Sequence, residues 1–433
     1  MMAAKGGKVT IGCDPCKRSF TRLRGGTLID VVTSPEARAD SGPADGSRTR
    51  RARLAFAVLG TGAGAALAGL GVVVFLFARL SWPHAEPLGN PEFGINYSCA
   101  HAEYLWLEDP ALGPAGYVDK DRPDRPAWCA EALGRLTQGL GATHVRISVE
   151  WSQVEPQDGV YDFRLVDALL ARAGRDGTKV LLTVGVKGQR HPEFYIPDWV
   201  LARSNLRSGA VISDDPYLRE QALRMIAAVV EHVAGSSAID SWEADNEPYL
   251  PSWRAEQWRL GRDFVREEVR VIHEHDPRGR RVIVNHGQVF VTDRRWKDAL
   301  ADGDGLGVSL YPFRDYEILG RTFVVPISEL GPITPNYAAQ ARAARASGRP
   351  FYITEMQAEP FLNADLRLVG PANPAPNLTP SYFRRNVDYA RRSGASRVYL
   401  WGAEWWLFER EHYGDSTWWD LGRAAVTTGT SGR

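Results

Sequence analysis

The 433-residue sequence predicts an α/β protein, a (β/α)8 TIM barrel preceded by a single transmembrane helix and a disordered N-terminal tail. Three observations carry that expectation. From residue 90 onward, short β-rich runs alternate with segments of helical spacing, and there are eight such runs. Ahead of them lies one uncharged apolar stretch, residues 54–78, bracketed by Arg53 and Arg79. No GxGxxG or GxxxxGK[ST] follows any run, so the competing doubly wound sheet lacks its nucleotide-binding signature.

Residues 1–53 are polar and broken by GG, SP, SGP and DG, without a sustained apolar period, which reads as a disordered cytoplasmic tail. Cys13 and Cys16 are spaced like half of a zinc knuckle or a redox pair, but no second pair or nearby histidine completes four ligands, and no metal is expected. Residues 54–80 are the expected membrane helix, since a hydrocarbon core of about 30 Å takes roughly 20 apolar helical residues. A cleaved signal peptide has a shorter apolar region, and no small-x-small cleavage site follows directly. Arg48, Arg50, Arg51 and Arg53 crowd the N-terminal flank, so the N-terminus is expected in the cytoplasm and everything after the span outside it. Residues 81–89 are a linker, and 90–433 form the barrel.

Within the barrel the strands are expected at 93–97, 144–149, 179–186, 238–244, 281–285, 305–311, 351–355 and 397–401. Helices fall at 131–141, 163–177, 217–235, 256–275, 336–348 and 382–394, several of them stopping on glycine. Long connections remain at 98–125, 187–215, 312–335 and 357–380. Cys99 and Cys129 would lie outside the membrane, where a disulfide persists. Lysine plus arginine equals aspartate plus glutamate at 52 each, so no net field attracts nucleic acid.

In such a barrel the chemistry gathers at the C-terminal ends of the strands. The stretch SWEADNEP, 241–248, then becomes strand four running into its loop, with Asn246 and Glu247 on the rim. Glu355 ends strand seven, roughly across the mouth. Two carboxylates that face each other suit cleavage of a glycosidic bond, one protonating the leaving oxygen while the other attacks the anomeric centre. Aromatic faces stack on pyranose rings, and Trp401, Trp405 and Trp406 in LWGAEWW are candidates, at least one of them for the core instead.

The run RISVEWSQVEPQDGVYDF, 146–163, the Asn-Glu-Pro of WEADNEP and the strands ending in Glu355 and Trp401 resemble the clan A glycoside hydrolases, the superfamily of cellulases, β-mannanases, β-glucosidases and β-galactosidases. The resemblance covers residues 90–425 at the level of strand order. It implies a retaining double displacement on an oligo- or polysaccharide, with Glu247 as acid/base, Glu355 as nucleophile and no cofactor. It further implies that Asn246 holds the 2-hydroxyl, that Arg146 keeps Glu355 ionised, that Tyr311 bonds the same carboxylate and that Trp401 floors the reacting sugar's subsite. The cellulase-like members carry a His two residues before the strand-six Tyr, where this chain has Ser309; His286 is the candidate replacement, against a loop histidine bonded to backbone. Glu243 and Asp245 are read as acids whose ion pairs fix strand four, and Glu150, Glu404 and Glu409 as further possible sugar contacts. A transglycosylase with the same site, and a glycan-binding protein on a hydrolase scaffold, are the alternatives.

Overall fold

The computed structural model describes Gly64, residues 67–74 and residues 88–428, apart from 108–119, 253–254, 288–292, 312, 319–320, 327–334 and 362–364. The expected tail, Cys13 and Cys16, and most of the expected membrane segment and linker lie outside the described residues. Residues 67–74 are helical, with Leu67, Leu70, Val72, Val73 and Val74 exposed. Among the described residues no helix is long and apolar enough to cross a membrane.

Eight parallel strands close into a barrel: β1 Glu92–Tyr97, β2 His144–Ser148, β3 Lys179–Val184, β4 Ile239–Ala244, β5 Val282–His286, β6 Gly305–Leu310, β7 Phe351–Gln357 and β8 Arg397–Trp401, with β8 pairing back to β1. Each begins within one residue of its expected position, because strands covered on both faces read as near-continuous apolar runs such as KVLLTV. Between and after them run α1 Arg125–Leu140, α2 Arg164–Asp176, α3 Pro216–Val233, α4 Arg262–His275, α5 Trp296–Asp302, α6 Tyr337–Ala346, α7 Pro380–Arg391 and α8 Thr417–Thr428. The helix boundaries have local causes. Asp215, Asn336 and Thr379 each accept a hydrogen bond from the backbone N–H three residues on, while Gly141 and Gly177 close α1 and α2 in the left-handed conformation. The connection expected at 312–335 contains an antiparallel hairpin, Phe313–Ile318 with Arg321–Pro326, which the alternating FRDYEI and RTFVVP around a glycine could have signalled.

Inside the barrel, Leu181, Ile283, Tyr352 and Tyr399 form a small apolar cluster toward the N-terminal end. Above it the interior turns polar, with Asn96, Arg146, Thr183, Glu243, Asn285 and Thr354 all buried. The pairing of β7 is irregular on both sides. Val308 opposes Ile353 but Ser309 opposes Glu355, and a matching shift occurs against β8 between Val398 and Leu400. One extra residue therefore bulges from β7 at Thr354 and Glu355.

Cys99 and Cys129 are joined, with Cα atoms 5.4 Å apart, tying the short helix Cys99–Trp106 to α1. The bridge closes a loop with a sequence separation of 30, for which chain entropy gives about 3–4 kcal/mol. Replacing both cysteines by serine is expected to lower the melting temperature by roughly 6–14 °C, checked by calorimetry. The sequence contains two Asn-x-Ser/Thr sequons, at Asn96 and Asn377, and the fold closes both to glycosylation: Asn96 lies in the barrel interior and Asn377 is fully buried, donating to the Phe361 carbonyl at 2.6 Å.

Candidate active site

β4 ends at Ala244, and the chain then makes a tight turn in which Asp245 (φ 55°) and Glu247 (φ 45°) are both left-handed, an arrangement that costs a non-glycine residue about 1 kcal/mol or more. The turn is held by backbone bonds, Asp245 N–H to the Val184 carbonyl at 3.1 Å and Asn246 N–H to the Lys187 carbonyl at 2.7 Å. The Glu247 N–H donates to Asn285 Oδ1 at 2.5 Å. Its side chain crosses toward β6, where Ser309 Oγ donates to Glu247 Oε1 at 2.5 Å. Ser309, the departure from the cellulase-like pattern, thus contacts the strand-four carboxylate directly. A Cβ at Gly287 would overlap the same carboxylate, so a side chain here would push Glu247 aside. Gly287→Ala is expected to displace Glu247 and reduce turnover about 10²-fold with the fold intact, as measured by kcat and circular dichroism.

Opposite stands Glu355, 4% exposed. Arg146 Nη1 donates to its Oε1 at 2.7 Å and the Tyr311 hydroxyl to its Oε2 at 2.9 Å. Arg146, with no exposed surface, serves several acceptors at once: Glu243 Oε2 through Nε at 2.6 Å, Asn246 Oδ1 through Nη2 at 2.7 Å, and Gln189 Oε1 and Asn96 Oδ1 through Nη1 at 3.1 and 3.2 Å. This sharing corrects one expectation. A single guanidinium divided between two buried carboxylates does not hold Glu355 low; burial, reinforced by the charge of Glu247, pushes its carboxyl up to about 7 against the pull of Arg146. Burial likewise raises Glu243, which Arg146 and Thr183 stabilise in the charged form, so the expected ion pair of Glu243 is present.

Asn246 lies within the network, its Oδ1 accepting from Arg146 and, at 3.3 Å, from Asn285. Trp401 is 7% exposed at the end of β8, but its face is covered: the Arg190 guanidinium stacks 3.8 Å above the ring and is bonded to Glu359 and, at 3.5 Å, to Glu404. Burial works against ionisation of Glu359, yet Arg190 and His101 outweigh it and hold this carboxyl at about 2. Trp405 is not at the mouth. It is 1% exposed and packs at 5.1 Å against Trp418, because the helix Ala403–Phe408 turns it under the rim, and Trp406 is likewise buried with its indole N–H on the Ala358 carbonyl. His286 is fully buried at the end of β5 with Nε2 on Asp293 Oδ2 at 3.2 Å, and no polar contact joins it to Glu247 or Glu355 among the described residues. Glu404 accepts from the Ser98 N–H at 2.7 Å.

A cavity of about 160 Å³ opens beside the carboxylates and not over them, lined among others by Ser148, Glu150, Gln189, Arg190 and Tyr195. It shares Gln189 with the Arg146 network, and burial raises the Glu150 carboxyl on its wall to about 7. The contributions of Ser309, Asn285, Gln189 and Arg190 were missed by sequence reasoning. Only the first had a signal, the absence of the expected histidine.

Comparison with known proteins matches residues 127–257 to the Glyco_hydro_42 family model, described as beta-galactosidase. That segment carries Arg146, Asn246 and Glu247 and stops short of Tyr311, Glu355 and Trp401. The chain is 29% identical over 126 residues to beta-galactosidase BbgII of Bifidobacterium bifidum, covering 26% of this chain and 18% of that protein. It is 25% identical over 130 residues to beta-galactosidase bgaB of Geobacillus kaustophilus, covering 28% and 19%. The chain therefore spans about a fifth of the length of the curated relatives it matches. Among solved structures, the GH5_18 protein of Streptomyces cattleya in complex with GlcNAc superposes with a TM-score of 0.50 at 15% identity, over 80% of this chain and 82% of that one, a likeness of fold. Over residues 127–257, then, the chain is similar to the beta-galactosidase family, and its closed eight-stranded barrel, with an Asn-Glu pair leaving strand four and a glutamate on strand seven, is the fold of the clan A glycoside hydrolases that it resembles.

Proposed function

We propose that the protein is a membrane-anchored, retaining β-glycosidase that cleaves β-linked glycans by double displacement. The observation that carries the reading is the bonding of Glu355, one oxygen to Arg146 and the other to Tyr311, opposite a Glu247 fixed by Ser309 and Asn285. In the first step Glu355 attacks the anomeric carbon while Glu247 donates its proton to the departing oxygen; in the second, Glu247 takes a proton from water, which displaces Glu355 and restores the free acid. The oxygen of Asn246 is occupied by Arg146 and Asn285, which leaves its amide hydrogens for the sugar 2-hydroxyl. A β-galactoside is the substrate to which the matched segment points.

Anchoring rests on the uncharged 54–78 segment and its arginine-rich N-terminal flank, which supports a barrel outside the cytoplasm. A joined Cys99–Cys129 pair suits that compartment. The test uses the purified full chain with p-nitrophenyl β-galactoside, β-glucoside, β-mannoside and their α anomers, following product anomers by NMR. Hydrolysis of a β-linked substrate with retention is expected. Inversion, or turnover confined to α-linked substrates, would refute the double displacement.

A further inference from the structure

Beneath the strand-four turn lie two acids that the reaction does not use. Asp245 is fully buried; its Oδ1 accepts from the Lys187 N–H at 2.6 Å and sits so close to Gly185 that a Cβ there would overlap it. Its Oδ2 has no donor. On α4, whose inward face is otherwise Phe264, Val265, Val269, Val271 and Ile272, Glu268 is fully buried and neither of its oxygens has a donor. The carboxyl that faces Glu268 within hydrogen-bonding reach is that of Asp245. Two carboxylates offer only acceptors, so an ionised pair would bury two charges against each other with three oxygens unsatisfied. One proton between them converts the contact into an O–H···O bond.

We propose that Asp245 and Glu268 hold one shared proton, and that this pair is the brace that keeps Asp245 and Glu247 in their left-handed conformations and so aims the Glu247 carboxyl at the sugar. The positioning half rests on the role given to Glu247 above; the shared proton does not. The cations that face the pair are committed elsewhere. Lys187, from the loop after β3, places Nζ on the Glu247 and Leu250 carbonyls at 3.0 Å each, and Arg219 on α3 bonds Glu267 at 3.0 Å and the Ser213 carbonyl at 3.3 Å. Tyr249, also near Glu268, donates to Asp302 of α5, which Arg262 of α4 holds at 2.6 Å, and Glu243 on β4 is taken by Arg146. Lys187 thereby joins the brace to the acid, its N–H on Asp245 and its ammonium on the Glu247 carbonyl.

Burial raises both carboxyls, Asp245 to about 6 and Glu268, helped by the charge of Asp245, well above the ordinary range. The sign follows. The folded state binds more protons than the unfolded chain, so the stability that the pair contributes is complete below the unfolded carboxylate values, near pH 4, and is lost as pH rises through the folded ones. In Glu268→Gln the amide donates to Asp245 Oδ2 at every pH. Its melting temperature is therefore expected to gain on wild type by about 3 °C per pH unit between pH 5 and pH 8. Parallel melting curves over that range would overturn the shared proton whatever the enzyme's activity. On a β-linked aryl glycoside, Glu268→Ala is expected to lose about 10²-fold in kcat and to shift the alkaline limb of kcat/KM, because the unpaired Asp245 releases the turn. Glu268→Gln is expected to restore both to within about 3-fold of wild type, since its amide replaces the missing donor. An alanine variant with wild-type kcat and limb, or a folded Gln variant as impaired as Ala, would overturn the brace. A wild type without turnover would overturn the role of Glu247 and the positioning with it, and leave the melting comparison to decide the proton.

Discussion

Glu355→Gln is expected to reduce turnover of a β-linked aryl glycoside by on the order of 10⁴–10⁶-fold, because the amide cannot form the glycosyl ester. The loss should fall on kcat while the folded state gains. Glu355 is raised to about 7 from an ordinary value of 4.5, so its ionisation at pH 8 costs stability that the amide does not lose, up to about 3 kcal/mol. Thermal unfolding at pH 8 should place the variant above wild type, and the two should converge toward pH 5. The same shift fixes the acid limb of wild-type activity. The attacking carboxylate must be charged, and turnover should fall as pH drops through about 7, more than two units above where an unperturbed glutamate would place it. A wild-type kcat/KM flat from pH 8 to pH 5 would show that Glu355 is already charged throughout that range in the free protein and would overturn the expected rise.

Arg146→Met is expected to be the most damaging single change to the fold of the site. The guanidinium reaches Glu243, Glu355, Asn246, Gln189 and Asn96, and removing it leaves two buried carboxylates with their cation gone. Breaking a buried ion pair from one side costs about 3–5 kcal/mol. Part of that cost is avoided when Glu243 and Glu355 take up protons, so the destabilisation should be largest at high pH and shrink toward pH 5. Denaturant titrations at the two values measure the difference. Arg146→Lys should fall between, since one ammonium cannot meet acceptors that lie around a planar fork.

The barrel was legible because its evidence is local. A strand such as KVLLTV declares itself by a run of apolar residues, and a helix such as Pro216–Val233 by its period and its Asp215 cap. The two rim glutamates and Asn246 were legible because strand order places chain ends in known relation at the barrel mouth, and Arg146 and Tyr311 through the family resemblance. What resisted reading was compensation between distant segments. Nothing beside Trp401 announces that Arg190, from the loop after β3, covers its ring, or that Glu359 and Glu404 neutralise that arginine. Trp405 looks no different in sequence from a platform aromatic, and only the turn of the following helix sends it into the core. The division of Arg146 between Glu243 and Glu355 is likewise a matter of two acids reaching one group, and the burial that, with the charge of Glu247, raises Glu355 against the pull of Arg146 depends on residues far apart in the chain.

The extra residue in β7 has a consequence for anyone rebuilding this protein. Successive side chains of a regular strand point to opposite faces, yet Thr354 and Glu355 both work inside the barrel, the first bonding Asn285 at 3.1 Å and the second Arg146 at 2.7 Å. Only the slip in register between Ile353 and Met356 lets neighbours share an interior. A redesign that smoothed β7 into unbroken alignment with β6 and β8 would turn one of the two outward, and the straighter barrel would lose either the Glu355 contact with Arg146 or the threonine that bonds Asn285. At this irregularity, backbone geometry and not side-chain choice decides which groups face the interior.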